Sequence, residues 1–212
     1  LYFCAGCPEK DMTADVILAM QRHGIDMIEV GIPFSDPLAD GPVIQSAGTV
    51  ALKNGMTLET LFGQLDAIKS QVNIPLVLMG YLNVIMHYGY ERFCQRCVEC
   101  GVSGFIIPDL PFDDYLSEIK PLADSYNLRC IMMITPETSE ERIRFIDRNT
   151  DGFIYMVSSA SITGAQQNFD EAKQQYFQRI NAMNLHNPRM IGFGISNRQT
   201  LESAHNNAAG AI

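Results

Sequence analysis

The sequence predicts a (β/α)8 TIM barrel, trimmed before its first strand and after its eighth. Three observations point there. Short apolar, β-branched runs recur eight times. Amphipathic stretches separate them. Several runs are apolar throughout, as strands covered on both faces are. Strict alternation implies parallel strands joined by right-handed crossovers. Eight such units favour a closed barrel over an open sheet. The 212 residues lie near the short end for that fold.

Taken in order, the strand candidates are LYFCA (1–5), DMIEVG (26–31), PLVLMGY (75–81), GFIIPD (104–109), RCIMMIT (129–135), GFIYMVS (152–158), RMIGFGI (189–195) and AAGAI (208–212). The helices between them are ADVILAMQRHG, LETLFGQLDAIKS, ERFCQRCVECG, DDYLSEIKPLADSY, SEERIRFIDRN, DEAKQQYFQRINAM and NRQTLESAHN. No helix precedes the first strand and none follows the last, so the N- and C-terminal helices of the fold are expected to be missing. With no linker, low-complexity tract or solenoid repeat, residues 1–212 read as one domain.

Composition narrows the function. The chain is 47% hydrophobic and 18% charged, an ordinary globular balance. No apolar run approaches the roughly 18–20 residues of a membrane span. LYFCAGCPEK has neither a basic start nor a long apolar segment, so it does not read as a signal peptide. A net charge of −9 argues against sequence-independent nucleic-acid binding, which needs Lys and Arg to displace counterions. It leaves room for a small anion held by backbone N–H groups. The six cysteines read as reduced thiols. Cys94, Cys97 and Cys100 look like small buried hydrophobes, and Cys4 and Cys7 have CxxC spacing without further support for a redox pair. His23, His87, His186 and His205 form no constellation and read as solvated surface.

In a barrel of this kind the chemistry lies at the C-terminal strand ends. In DMIEVG, alternation places Met27, Glu29 and Gly31 on one face, with Ile28 and Val30 on the other. Ile28 and Val30 suit the helix-facing side, so Glu29 points inward near the mouth. Burial there raises a carboxyl's pKa into a useful acid/base range. The loop that follows, GIPFSDPLADGP, adds Asp36 and Asp40 on a frame stiffened by Pro33, Pro37 and Pro42. Patterning leaves the choice between Asp36 and Asp40 open. The uncharged loop SSASITGAQQNF after strand six suits a lid or phosphate loop. GFGIS after strand seven lies where such barrels bind phosphate, and Gly192 and Gly194 permit close backbone approach. Tyr81, Tyr155 and Phe193 lie in or at the ends of strands, where they could wall an apolar pocket.

IEVGIPFSDPLADGPVIQ closely resembles the signature of the tryptophan synthase α-subunit family. The likeness continues through LKNGMTLE, MGYLNVIMHYG, GVSGFIIPDLP, ITPETSEERI, FIYMVSSASITGA and GFGIS, in order and over essentially the whole chain. It implies a cytoplasmic lyase of tryptophan biosynthesis that cleaves indole-3-glycerol phosphate to indole and glyceraldehyde 3-phosphate. The family's two catalytic carboxylates fall on Glu29 and Asp40, which separates Asp40 from Asp36. The resemblance also implies that Thr163 closes onto Asp40 and that Gly164 and Gly194 contact phosphate. Tyr2, Tyr81, Tyr155 and Phe193 would line the indole pocket. Pro33 and Asp36 would face a β subunit in an α2β2 complex. Pyridoxal phosphate would belong to that partner, and this chain would bind no cofactor or metal. A standalone lyase without a partner and a weakly active regulatory subunit are the alternatives. The sequence departs from the family pattern in three places. The Gly-Ser phosphate pair after strand eight would lie beyond Ile212, Ser159 replaces a common arginine, and Cys4 replaces a common threonine.

Overall fold

The computed structural model describes residues 1–158, 171–195 and 197–212. The chain divides into two compact units, Leu1–Cys130 and Ile131–Ile212. In the first, the strands β1 (Tyr2–Cys4), β2 (Ile28–Gly31), β3 (Leu76–Met79) and β4 (Gly104–Ile106) pair in parallel in chain order. The register sets Tyr2 beside Glu29, and Glu29 beside Val77. In the second, parallel pairing runs β5 (Arg129–Ile134), β6 (Ile154–Val157), β7 (Arg189–Gly192), β8 (Gly210–Ala211). β5 begins at the last two residues of the first unit. The strands are shorter than the apolar runs suggest. Hydrogen bonds extend the pairing past several of them: Ala5 N–H donates to Gly31 O, Ile32 N–H to Met79 O, and Gly80 N–H to Ile106 O.

Burial explains the strands. All four residues of β2 and all four of β3 are buried, so both faces are covered. In the first unit the helices α1 (Thr13–Arg22), α3 (Leu58–Ile68) and α5 (Tyr90–Glu99) match the amphipathic stretches. α3 buries Leu58, Leu61, Phe62, Leu65 and Ile68, spaced for one face of a helix, and the Thr57 side chain caps its first turn. Phe62, Phe93 and Phe105 make successive edge contacts in this core. Cys94, Cys97 and Cys100 are buried, as their spacing suggests.

Two helices go beyond the sequence reading. α2 (Pro42–Lys53) occupies what reads as loop, with Pro42 at its first turn. It buries only Gly48 and Ala51 and exposes Val43, so no apolar stripe announces it. α4 (Leu82–Tyr88) is short and buries only Ile85. The DDYLSEIKPLADSY stretch is also less regular than one helix. α6 (Phe112–Asp114) passes through a π turn over Tyr115–Ile119 into α7 (Lys120–Ser125). The π turn precedes Pro121, which supplies no backbone N–H to continue the regular bonding.

In the second unit α8 (Glu140–Asn149) is capped by Ser139. α9 (Glu171–Ala182) buries Tyr176, Phe177 and Ile180, and α10 (Arg198–Asn207) begins with an Asn197–Thr200 capping box. No described helix is long and apolar enough to cross a membrane. All four histidines are exposed.

Candidate active site

Glu29 is the centre of the first unit's site. It lies in β2 between the buried Ile28 and Val30 and is itself only 1% exposed. Among the described residues its Oε2 has no hydrogen-bond partner. A buried, unpaired carboxylate is costly, so the group holds its proton. Burial is the main cause that pushes its pKa up to about 8, and the Asp40 charge adds to this. Glu29 is therefore largely protonated near neutrality and can still ionise within reach of working pH.

Asp40 is the second carboxylate. It is buried at the end of the loop after β2, whereas Asp36 on the same loop is exposed. Tyr81 explains the difference. Its O–H donates to Asp40 Oδ2 at 3.0 Å, and its oxygen accepts the Ala39 N–H at 2.9 Å. Phe34, from the same loop, stacks on the Tyr81 ring with centroids 5.1 Å apart. Gln45, on α2, donates to the Asp40 carbonyl at 2.9 Å, and Asp40 N–H donates to Pro37 O at 3.0 Å. Burial raises the Asp40 pKa, and the Tyr81 hydrogen bond opposes that rise. Asp36 instead accepts a hydrogen bond from the neighbouring Ser35 hydroxyl. Pro33 is buried.

Several supporting residues carry little sequence signal of their own. Asp109, just after β4, accepts the Leu82 N–H at 2.8 Å and so anchors the start of α4 next to Tyr81. Its only sequence signal is the Pro-Asp pair at a strand exit. Phe34 and Gln45 act through contacts that depend on the folded loop. Cys4, near Asp40, has its thiol pushed up to about 12, chiefly by burial. That makes it a poor thiolate and weakens a redox reading of the CxxC spacing.

Tyr2 leans across the sheet. A Cβ at Gly31 would fall 2.2 Å from the Tyr2 hydroxyl, so that position admits only glycine. The second unit repeats the device. A Cβ at Gly192 would fall 2.1 Å from the Tyr155 hydroxyl. In both pairs the tyrosine lies two residues before the residue that pairs with the glycine. Tyr155 also meets Phe193 edge-on, with centroids 6.1 Å apart. Phe193 and Gly194 both have positive φ, at 68° and 75°. A left-handed phenylalanine is strained and persists where its surroundings enforce it. Here the Ser158 hydroxyl donates to the Phe193 carbonyl at 2.7 Å. Thr163, Gly164 and Ser159 lie outside the described residues. Among the described residues no cluster of three or more His, Cys, Asp or Glu is arranged to hold a metal.

The chain is similar to known proteins over its whole length. The family model described as "Tryptophan synthase alpha chain" matches residues 1–212. The tryptophan synthase alpha chain of Parabacteroides distasonis is 64% identical over the whole chain, which covers 82% of that protein. Its counterpart from Phocaeicola vulgatus is 65% identical, again with 82% of that protein covered. Among solved structures, tryptophan synthase from Mycobacterium tuberculosis superposes with a TM-score of 0.90 at 29% identity, over 100% of this chain and 80% of that one. A tryptophan synthase complex from Pyrococcus furiosus gives a TM-score of 0.89 at 32% identity, covering 100% of this chain and 83% of that one. These neighbours have the (β/α)8 TIM-barrel fold that the alternation of elements predicts.

Proposed function

Because the chain belongs to the tryptophan synthase alpha-chain family, a family of lyases that cleave indole-3-glycerol phosphate, we propose that Glu29 and Asp40 carry that cleavage here. The observation that supports this most is the buried Glu29 carboxyl, unpaired at Oε2 and poised near pH 8, with a second buried carboxylate fixed nearby.

The reaction is a retro-aldol cleavage. Glu29 starts protonated and gives its proton to C3 of the indole. Asp40 accepts a hydrogen bond from the indole N–H and stabilises the positive charge that develops on the ring. Glu29, now a carboxylate, takes the proton from the hydroxyl on the glycerol carbon bonded to the ring. That carbon becomes an aldehyde carbonyl, the C–C bond breaks, and its electron pair restores the aromatic indole. One residue thus acts as acid and then as base, which a pKa near the working pH permits.

Tyr81 and Tyr2 supply the aromatic surface proposed for the indole in the first unit; in the second unit, taken by itself, Tyr155 and Phe193 are proposed substrate contacts. Gly194, Gly164 and Thr163 are the proposed phosphate and lid contacts. The proposed partner is a β chain that holds pyridoxal phosphate. Asp36, which is exposed, and Pro33, buried on the same loop, are the contacts proposed for it. The cysteines are all unpaired, which fits a reducing cytoplasm.

Incubating the purified chain with indole-3-glycerol phosphate, with and without a β chain, tests the reading. Indole should be released in both cases. Its absence from both would remove the lyase assignment.

A further inference from the structure

We propose that the Tyr2 hydroxyl is a catalytic donor, contacting the substrate oxygen on the glycerol carbon whose bond to the ring breaks. The inference rests on the lyase reading above and adds a polar role to a residue otherwise assigned as an aromatic wall.

Placement comes first. Tyr2 pairs with Glu29 across β1 and β2, and Cys4 pairs with Gly31. The Tyr2 side chain runs diagonally toward the C-terminal end of β2. Its hydroxyl fills the space that a side chain at position 31 would take. Glu29 and Gly31 share a face of β2, so the phenol oxygen stands one step toward the strand exit from the point where the Glu29 side chain leaves β2. Cys4, Asp40, Glu29 and Tyr81 all lie close enough to act on it electrostatically when ionised. The phenol therefore belongs to the same cluster as both carboxylates.

Its hydrogen bonding comes second. The Tyr81 hydroxyl is engaged twice, with Asp40 and with Ala39. The Tyr2 hydroxyl makes no hydrogen bond to a described residue. Burial raises its pKa, so it stays a donor across the working range. A half-buried phenol that packs only through its ring would do as well as phenylalanine. An unengaged O–H beside two carboxylates is instead ready for a ligand oxygen.

The reaction supplies one. When the hydroxyl of the ring-bonded glycerol carbon gives its proton to Glu29, negative charge builds on that oxygen until the carbonyl forms. A fixed O–H donor there favours the transition state over the ground state. The proton of Tyr2 stays on Tyr2; only the substrate O–H and C–C bonds break.

Tyr2→Phe tests the proposal, because it keeps the ring and removes only the oxygen. Two measurements are needed: kcat/KM for indole-3-glycerol phosphate, and the Kd for indole-3-propanol phosphate, which has ring and phosphate but no glycerol hydroxyls. The variant should lose about tenfold in kcat/KM, mostly in kcat, equivalent to about 1.4 kcal/mol. Its affinity for the propanol analogue should stay within about twofold. Wild-type kcat/KM in the variant would overturn the proposal. So would an equal loss of affinity for the analogue, which would mark a packing role. If the unaltered chain releases no indole, the lyase reading falls first and takes this inference with it.

Discussion

At the scale of single residues, Glu29 and Asp40 are both buried acids, but they are held differently. Glu29 has an unpaired oxygen and depends on staying protonated. Asp40 is tied to Tyr81 and to its own loop. Two predictions follow from this contrast. Glu29→Gln should abolish turnover while making the free protein more stable, and the gain should grow with pH. The folded pKa of Glu29 is raised, so the folded state binds the extra proton between its ordinary value and about 8. Its favourable contribution is complete below the ordinary carboxylate pKa and is lost as pH rises through about 8. Thermal melts of the two proteins should diverge from pH about 5 to about 8 and run parallel above that; curves parallel throughout would contradict the assignment. Tyr81→Phe should cut kcat by about tenfold, since it removes a hydrogen bond to a charged group. The same bond opposes the rise in Asp40's pKa, so its loss should move the acid limb of the pH–rate profile upward. An unmoved acid limb would mean that Tyr81 only packs.

At the scale of elements, α8 and the segment before β7 illustrate a polar joint within the second unit. Asp147 on α8 accepts the His186 N–H at 2.8 Å and the Asn187 N–H at 2.9 Å, while the Asn187 amide donates to Asp147 Oδ1 at 3.0 Å. Burial pushes the Asp147 carboxyl up, but these bonds outweigh it and bring the pKa below the usual value. Its stabilisation is present above the ordinary carboxylate pKa and is lost as pH falls through the lower folded value. Asp147→Ala should cost about 3 kcal/mol at neutral pH by leaving buried donors unpaired. The deficit, read from urea unfolding, should shrink below pH about 4. Such joints are poorly legible in sequence, because Asp147 and Asn187 lie 40 residues apart. The loop after β2 shows the same limit. Alternation along DMIEVG is enough to turn Glu29 inward, since strand period is local. Nothing local separates Asp36 from Asp40, because the bond that holds Asp40 comes from Tyr81, 41 residues away. α2 escapes notice for a related reason: its apolar residues do not form the stripe that marks a helix packed on one core.

At the scale of the whole molecule, α2 raises a question of association. Leu38, on the loop before it, is 83% exposed, and Val43, in its first turn, is 78% exposed. Both flank the loop that delivers Asp40. Isolated exposed apolar residues are ordinary, but neighbours at the mouth-side loop of a family that works with a β chain suit a contact surface. Asp36 lies on the same loop and is also exposed. A partner seated on this segment would press on the Pro37–Asp40 turn and, through Ala39 and Asp40, on Tyr81. Association and catalysis would then be coupled through one loop. Val43→Asp separates the two effects. Val43 makes no use of the core, so the isolated chain should keep its stability within about 0.5 kcal/mol. Co-elution with a β chain on gel filtration should be lost, because an acid would be buried unpaired at the interface. Any stimulation of indole release by the β chain should vanish with it, while the slower release by the isolated chain persists. If Val43→Asp still co-elutes and is still stimulated, the β chain docks elsewhere and the exposed face of α2 has no part in the coupling.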